Sequence, residues 1–176
     1  NISIFKGEAE IIRACTAIFT GKFVGSIKMS QDPNDLAPFI DLITAIEEAA
    51  SVSFQIRVSA RDFWKDLLLV ASKTRAISVD ICGFSVDRDR AFNIAVLAQK
   101  MLEMKCESVS FNRIRRPISL AEAVKLVQYF HRLPKKVSFR AFTTGLSMHR
   151  QIGAYKVKID RSNALEKRIS IKHVDY

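Results

Sequence analysis

Glycine and proline are scarce in this chain, 6 and 4 of 176 residues. That scarcity excludes a flexible linker, a collagen-like rod and a low-complexity segment. No apolar run reaches the roughly 18 residues that a membrane span needs, so no membrane partner is expected. Cysteine is rare too. Cys15, Cys82 and Cys106 are odd in number and far apart. That argues against a disulfide framework and favours a reducing, intracellular setting, cytoplasm or nucleus. The chain opens on Asn1 with no signal-peptide pattern, which suggests a fragment of a longer protein.

Catalytic and metal-binding signatures are missing as well. No G-x-G-x-x-G or G-x-x-x-x-G-K-[ST] occurs, which weakens a Rossmann-type nucleotide fold. His131, His149 and His173 are far apart and fit neither H-E-x-x-H nor a Cys/His zinc cluster. His131 falls at a helix C-terminus, where a basic residue is favourable in any case. Asp80, Asp87 and Asp89 could hold a cation, but acids favouring the helix start before "AFNIAVLAQ" are the simpler reading. Cys82 reads as a small buried hydrophobe rather than a redox thiol. No enzyme, metal or cofactor is expected.

Acidic residues are scarce only in the second half. Residues 1–105 carry 13 Lys/Arg and 13 Asp/Glu, whereas residues 106–176 carry 15 and 5. The whole formal excess of +10 therefore sits in the last 71 residues. Such asymmetry points to an acidic partner.

What the chain has in abundance is one short unit: a β-branched residue, Ser, an apolar residue. It recurs in "NISIFK", "SVSFQI", "AISVDI", "SVSFNR", "KKVSFRAF" and "KRISIK", with a degenerate copy "IKM". The first apolar residues are Ile2, Ile27, Val52, Ile77, Val109, Val137 and Ile169, at intervals of 25, 25, 25, 32, 28 and 32. Between the copies lie helical patterns. "DPNDLAPFIDLITAIEEAA" places Leu36, Phe39, Ile40, Ile43 and Ile46 at helical spacing, and "ARDFWKDLLLVASK" makes a stripe of Phe63, Trp64, Leu67, Leu68 and Ala71. "DRDRAFNIAVLAQKMLEMK" and "SLAEAVKLVQYFHRL" repeat the pattern, the latter with a Ser119/Glu122 capping box. Strands alternating with helices imply a parallel sheet. The period suits an α/β solenoid, one strand and one helix per turn, as a single domain over residues 1–176. The alternative is a compact three-layer α/β domain. Residues 154–176 differ: Tyr155, Val157 and Ile159 alternate with Lys, "DRSN" reads as a turn, and Ile169 and Ile171 alternate again. That pattern predicts a C-terminal hairpin cap.

The unit "AISVDICGF" resembles a leucine-rich repeat of the ribonuclease-inhibitor type. Ile77, Val79 and Ile81 stand where that repeat places its first aliphatics, and Cys82 lies close to its Asn/Cys position. Leu is largely replaced by Ile, Val and Phe, and Arg113 stands where an apolar residue is expected. The resemblance implies a curved parallel-sheet solenoid. The final strands, "AYKVKID" among them, are similar to the "GaYxVxR"-like strands that end nematode F-box-associated domains, and that similarity implies the recognition half of an adaptor.

In the solenoid reading the apolar residues of each unit face the helices and the middle residue faces away. Ser fits there as a spacer between like neighbours about 4.8 Å apart, not as a nucleophile. The outward set is Ser53, Gln55, Arg57, Ser78, Asp80, Ser110, Asn112, Ser138, Arg140, Ser170 and Lys172. Asp80, Asn112, Arg140 and Lys172 read as a gradient from acidic to basic. Arg113, Arg115 and Arg116 are expected in a loop after their strand, flanking Arg140, with Lys135 and Lys136 on the opposite edge. The candidate binding residues are thus Arg57, Asp80, Asn112, Arg113, Arg115, Arg116, Lys135, Lys136, Arg140 and Lys172, and no catalytic residue is named. The function expected is a non-catalytic protein–protein interaction module, the partner-recognition part of a multidomain adaptor, with an acidic protein partner. The alternative is electrostatic RNA or DNA binding through the basic patch in residues 113–172. Phe111, Phe139 and Phe142 are its stacking candidates, but the first two have core parity. An α/β enzyme would need a deep pocket at the carboxyl ends of the strands.

Overall fold

Six strands stand side by side in the order in which the chain makes them. The structure, a computed structural model, describes residues 2–5, 9–30, 37–57, 63–82, 94–143, 147–161 and 167–175. Asp87 and Asp89 lie outside the described residues, as do the side chains of Arg57, Cys82, Arg115 and Arg116. The elements run β1 (Ile2–Phe5), α1 (Ala9–Phe19), β2 (Phe23–Ser30), α2 (Ala37–Ala45), β3 (Glu48–Arg57), α3 (Phe63–Ser72) and β4 (Thr74–Cys82). They continue as α4 (Ile94–Glu103), β5 (Ser108–Ile118), α5 (Leu120–Phe130), β6 (Lys136–Thr143), β7 (Met148–Ile152), β8 (Tyr155–Arg161) and β9 (Lys167–His173). The chain is thus α/β, with one mixed sheet of order β1-β2-β3-β4-β5-β6-β9-β8-β7 among the described residues. Pairing is parallel from β1 to β6 and antiparallel from β6 onward. Each helix packs on the next, α1 on α2 through to α4 on α5.

The recurring unit sets the register. Ile2, Ile27, Val52, Ile77, Val109 and Val137 form one continuous row across the six parallel strands, all buried. The next buried row runs Phe54, Val79, Phe111, Phe139. A third buried position precedes the first row by three residues in four consecutive turns: Val24, Ala49, Thr74 and Cys106. Burial at i, i+3 and i+5 therefore repeats four times. Between the apolar rows the serines align as expected, Ser53–Ser78–Ser110–Ser138. Ser110 and Ser138 are nevertheless only 8% and 2% exposed.

Local sequence explains the helix ends. Gly21, at φ +65, follows α1 in the left-handed conformation that closes helices, and its N–H donates to the carbonyl of Ala45. Ser119 and Glu122 form the predicted capping box on α5. α1 was not among the helices read from the sequence. Glu48, Ala49 and Ala50 correct an expected helix: they open β3, because Ala49 takes its place in the buried row beside Val24 and Thr74. The repeat also stops one copy earlier than its spacing implies. Ile169 pairs antiparallel with Ala141 instead of joining the row of Val137.

The predicted hairpin cap is a three-stranded antiparallel meander, since β7 adds to β8 and β9. Tyr155 anchors it. The ring is buried between His131 and His173, each edge-on at 5.1 and 5.2 Å, and its hydroxyl donates to the Phe130 carbonyl at 3.4 Å. Burial pushes its phenol above the ordinary value. His131, at the C-cap of α5 as read from the sequence, lies 3.1 Å through Nε2 from the carbonyl of Ile152. Gly153 leaves room for that ring: a Cβ there would collide with His131 Cε1.

Candidate functional site

The face of the sheet opposite the buried rows changes character at β5. Phe111 pairs with Phe139 and Ile114 with Ala141, so Asn112 and Arg113 together stand opposite Arg140 alone. That is a β-bulge, a device that re-aims a side chain. Arg113 adopts φ +57, a conformation disfavoured for a residue with a Cβ. From there its Nε reaches Asp80 Oδ2 on β4 at 3.2 Å. Asn112 is held by the neighbouring serines: its amide donates to Ser78 Oγ at 3.2 Å, and Ser110 Oγ donates to its Oδ1 at 3.4 Å. Two serines of the aligned column, Ser78 and Ser110, are thus hydrogen-bond partners of Asn112. A second offset follows, where Arg115 and Arg116 fall between Ile114 and Pro117, opposite no partner of their own on β6.

Around the first bulge lies a cleft of about 580 Å³, at the middle of β5 and toward the carboxyl ends of β4 and β6. Asp80, Asn112, Arg113 and Arg140 line it, with Phe142 and Arg168. Arg168 on β9 is the cross-strand neighbour of Phe142, and its guanidinium sits 5.6 Å from the ring centroid. The lining carries three guanidiniums against one carboxylate, and that carboxylate already engages Arg113. Among the described residues it contains no hydroxyl, thiol or imidazole. A lining of this kind can hold an anion.

Beyond the cleft the basic face continues. Lys172 stands beside Ser138 on one side and directly opposite Lys156 on the other. Lys158 and His149 both engage Asp160, at 2.9 and 3.1 Å. The Lys158 hydrogen bond, with help from His149, holds that carboxyl below the usual carboxylate range.

Four expected site residues, Asp80, Asn112, Arg113 and Arg140, thus meet in one cleft. The others are placed differently. Arg113, Arg115 and Arg116 belong to β5, not to a loop, because the bulges let the strand run on to Ile118. Lys172 does not continue the series from Arg140. Antiparallel pairing reverses β9, so Ser170 stands beside Arg140 and Lys172 one row below. Lys135 and Lys136 lie at the amino ends of the strands, away from the cleft. The Lys135 ammonium donates to the Met104 carbonyl, and burial lowers its pKa. The same burial raises the Cys106 thiol, an effect Lys135 opposes. Arg57 closes β3 beside Cys82. Phe142 is half-buried while Phe111 and Phe139 are buried, the parity expected of the three rings; Arg168 and Lys156 are not among the expected site residues. Their alternation was visible, since Arg168, Ser170 and Lys172 share a face of β9, but not the strand they would join.

Comparison with protein-family models and with curated proteins finds no match for the chain. Among the described residues no helix is long and apolar enough to cross a membrane, and no group of three metal-ligating side chains gathers.

Proposed function

We propose that this chain is a leucine-rich-repeat-like β/α solenoid that acts as a non-catalytic protein-interaction module. It binds an acidic segment of a protein partner across the polar face of its sheet. The observation that carries the reading is the placement of cations: Arg113, Arg140, Arg168, Lys172 and Lys156 occupy one face of four adjacent strands. Like charges directly opposite each other, as at Lys156 and Lys172, destabilise a sheet. A negatively charged partner removes that repulsion. The solenoid reading is supported by six strands in chain order, helices packed in sequence and the fourfold burial pattern. Right-handed crossovers between strands in unbroken order put every helix on one face and leave the other for a partner. The adaptor role rests on the similarity of the C-terminal strands to F-box-associated domains.

One observation favours nucleic acid as a second reading. Phe142 is half-buried on the polar face beside Arg168, an arrangement on which a base can stack. Fluorescence anisotropy separates the two, using a labelled Glu-rich peptide and labelled single-stranded RNA across about 50–200 mM salt. The peptide is expected to bind and to be lost on Lys172→Glu with Arg140→Glu. RNA binding that is tighter than peptide binding at every salt concentration favours the second reading. No binding of either at about 50 mM salt rejects both.

A further inference from the structure

The cleft around the first bulge of β5 gathers the side chains of three arginines. Its lining holds two more cations than anions. Arg140 is exposed and makes no ion pair among the described residues. The cleft is shaped at a cost, since Arg113 occupies a left-handed conformation that strains a non-glycine residue. One wall is polar and pinned, at Asn112, and another is the ring of Phe142.

We propose that this cleft binds a phosphate monoester carried on a side chain of the protein partner, through Arg113, Arg140 and Arg168. The proposal rests on the acidic-partner reading above and names the group recognised. A phosphoryl group brings about −1.5 to −2 charges at neutral pH and three acceptor oxygens, one for each guanidinium of the lining. Guanidinium forks bind such oxygens in pairs, which a lysine cannot do. Asp80 holds Arg113 in place without filling the cleft and repels a ligand that approaches its own side. The volume of about 580 Å³ exceeds what a bare anion fills and admits the side chain behind it, packed on Phe142.

Phenyl phosphate, benzoate and inorganic phosphate test this, read through the Nε–Hε resonances of the arginines in 15N-labelled protein. Phenyl phosphate is expected to move the Arg140 and Arg168 signals and to bind about tenfold more tightly than either other probe, a difference near 1.4 kcal/mol. Arg140→Gln and Arg168→Gln each weaken it about fivefold or more, and Arg140→Lys, which keeps the charge, weakens it too. Equal binding of benzoate overturns the proposal, as does binding indifferent to these variants. Equal binding of inorganic phosphate reduces the cleft to a site for the free ion and overturns the side-chain source. A ten-nucleotide oligouridine that displaces phenyl phosphate at lower concentration than a phosphoserine pentapeptide does so as well. The Glu-rich peptide keeps the two levels apart. If it binds the face while phenyl phosphate shows no preference for the cleft, the phosphate inference fails and the acidic-partner reading stands. If phenyl phosphate binds as expected and that peptide does not, the cleft stands and the broader basic face loses its role.

Discussion

Two residues carry backbone conformations that their surroundings demand. Arg113 sits at φ +57, where a non-glycine residue costs on the order of 1–3 kcal/mol. Its ion pair with Asp80 is exposed, and exposed pairs contribute little. Arg113→Gly is therefore expected to leave stability unchanged or raise it by up to about 1 kcal/mol, while weakening binding of a Glu-rich peptide. Urea denaturation beside the anisotropy titration checks this, and a clear loss of stability would mean that the side chain holds the bulge together. Gly153 is the opposite case. Gly153→Ala adds a Cβ at φ +56 and drives it against the His131 ring, which the Ile152 carbonyl and Tyr155 hold. A loss of about 1–3 kcal/mol is expected. His131→Ala in the same chain should recover the steric share and leave the backbone share, a non-additivity that a double-mutant cycle measures.

At the scale of elements, the meander β7–β9 spends stability on its charge pattern. Lys156 and Lys172 are direct cross-strand partners, and the pair lies on the polar face beside Ser138. Lys172→Glu converts repulsion into attraction and should stabilise the protein by about 0.2–1 kcal/mol. The same change is expected to reduce affinity for an acidic peptide. Thermal unfolding and anisotropy moving in opposite directions are the signature; a loss of stability would show that Lys172 has a structural partner. The helices are less contested. Ser119→Ala removes the side-chain half of the capping box on α5, the acceptor for the Glu122 N–H, and should cost about 1 kcal/mol, read by denaturant unfolding.

Legibility also divides at this scale. The parallel rows were readable because strand parity and a repeated unit give the same answer: Val109 and Phe111 had to face one way and Ser110 the other. The bulge was not readable. "SVSFNRIRRPIS" shows Arg113 breaking the alternation, but a break reads equally as the end of a strand or as an extra residue within it. Only the pairing of Ile114 with Ala141 distinguishes the two. Glu48–Ala50 fooled helical periodicity because Ala fits a helix as well as it fits a crowded strand row.

For the whole molecule, the formal charge of +10 lies wholly in residues 106–176, and acid makes it larger. Two carboxyls resist that. Glu48 is held below its ordinary range first by the hydrogen bond from Arg75, and Asp160 first by that from Lys158. A carboxyl whose folded pKa is depressed adds stability that is complete above its unfolded pKa and is lost as pH falls through the folded value. Stability should therefore be flat near neutrality and fall only below the ordinary carboxylate range. Asp160→Asn should flatten part of that fall, and added salt should soften it by screening the basic face. Denaturant midpoints taken across pH test this; an unchanged slope in the variant would detach Asp160 from the acid transition.

Composition and local periodicity are enough for the α/β class, the parallel rows, the Ser column between them, the terminal hairpin and the confinement of charge to the second half. Each is a matter of local periodicity or composition, which needs no knowledge of what lies across the chain. Tertiary structure alone decided which cations meet. Arg168 and Phe142 are 26 residues apart and become neighbours because β9 runs against β6. The same reversal sets Lys172 beside Lys156 and withdraws it from the series begun at Asp80. The cleft exists because one strand holds an extra residue that its neighbour lacks. Register and direction are properties of pairs of strands, and no single segment contains them.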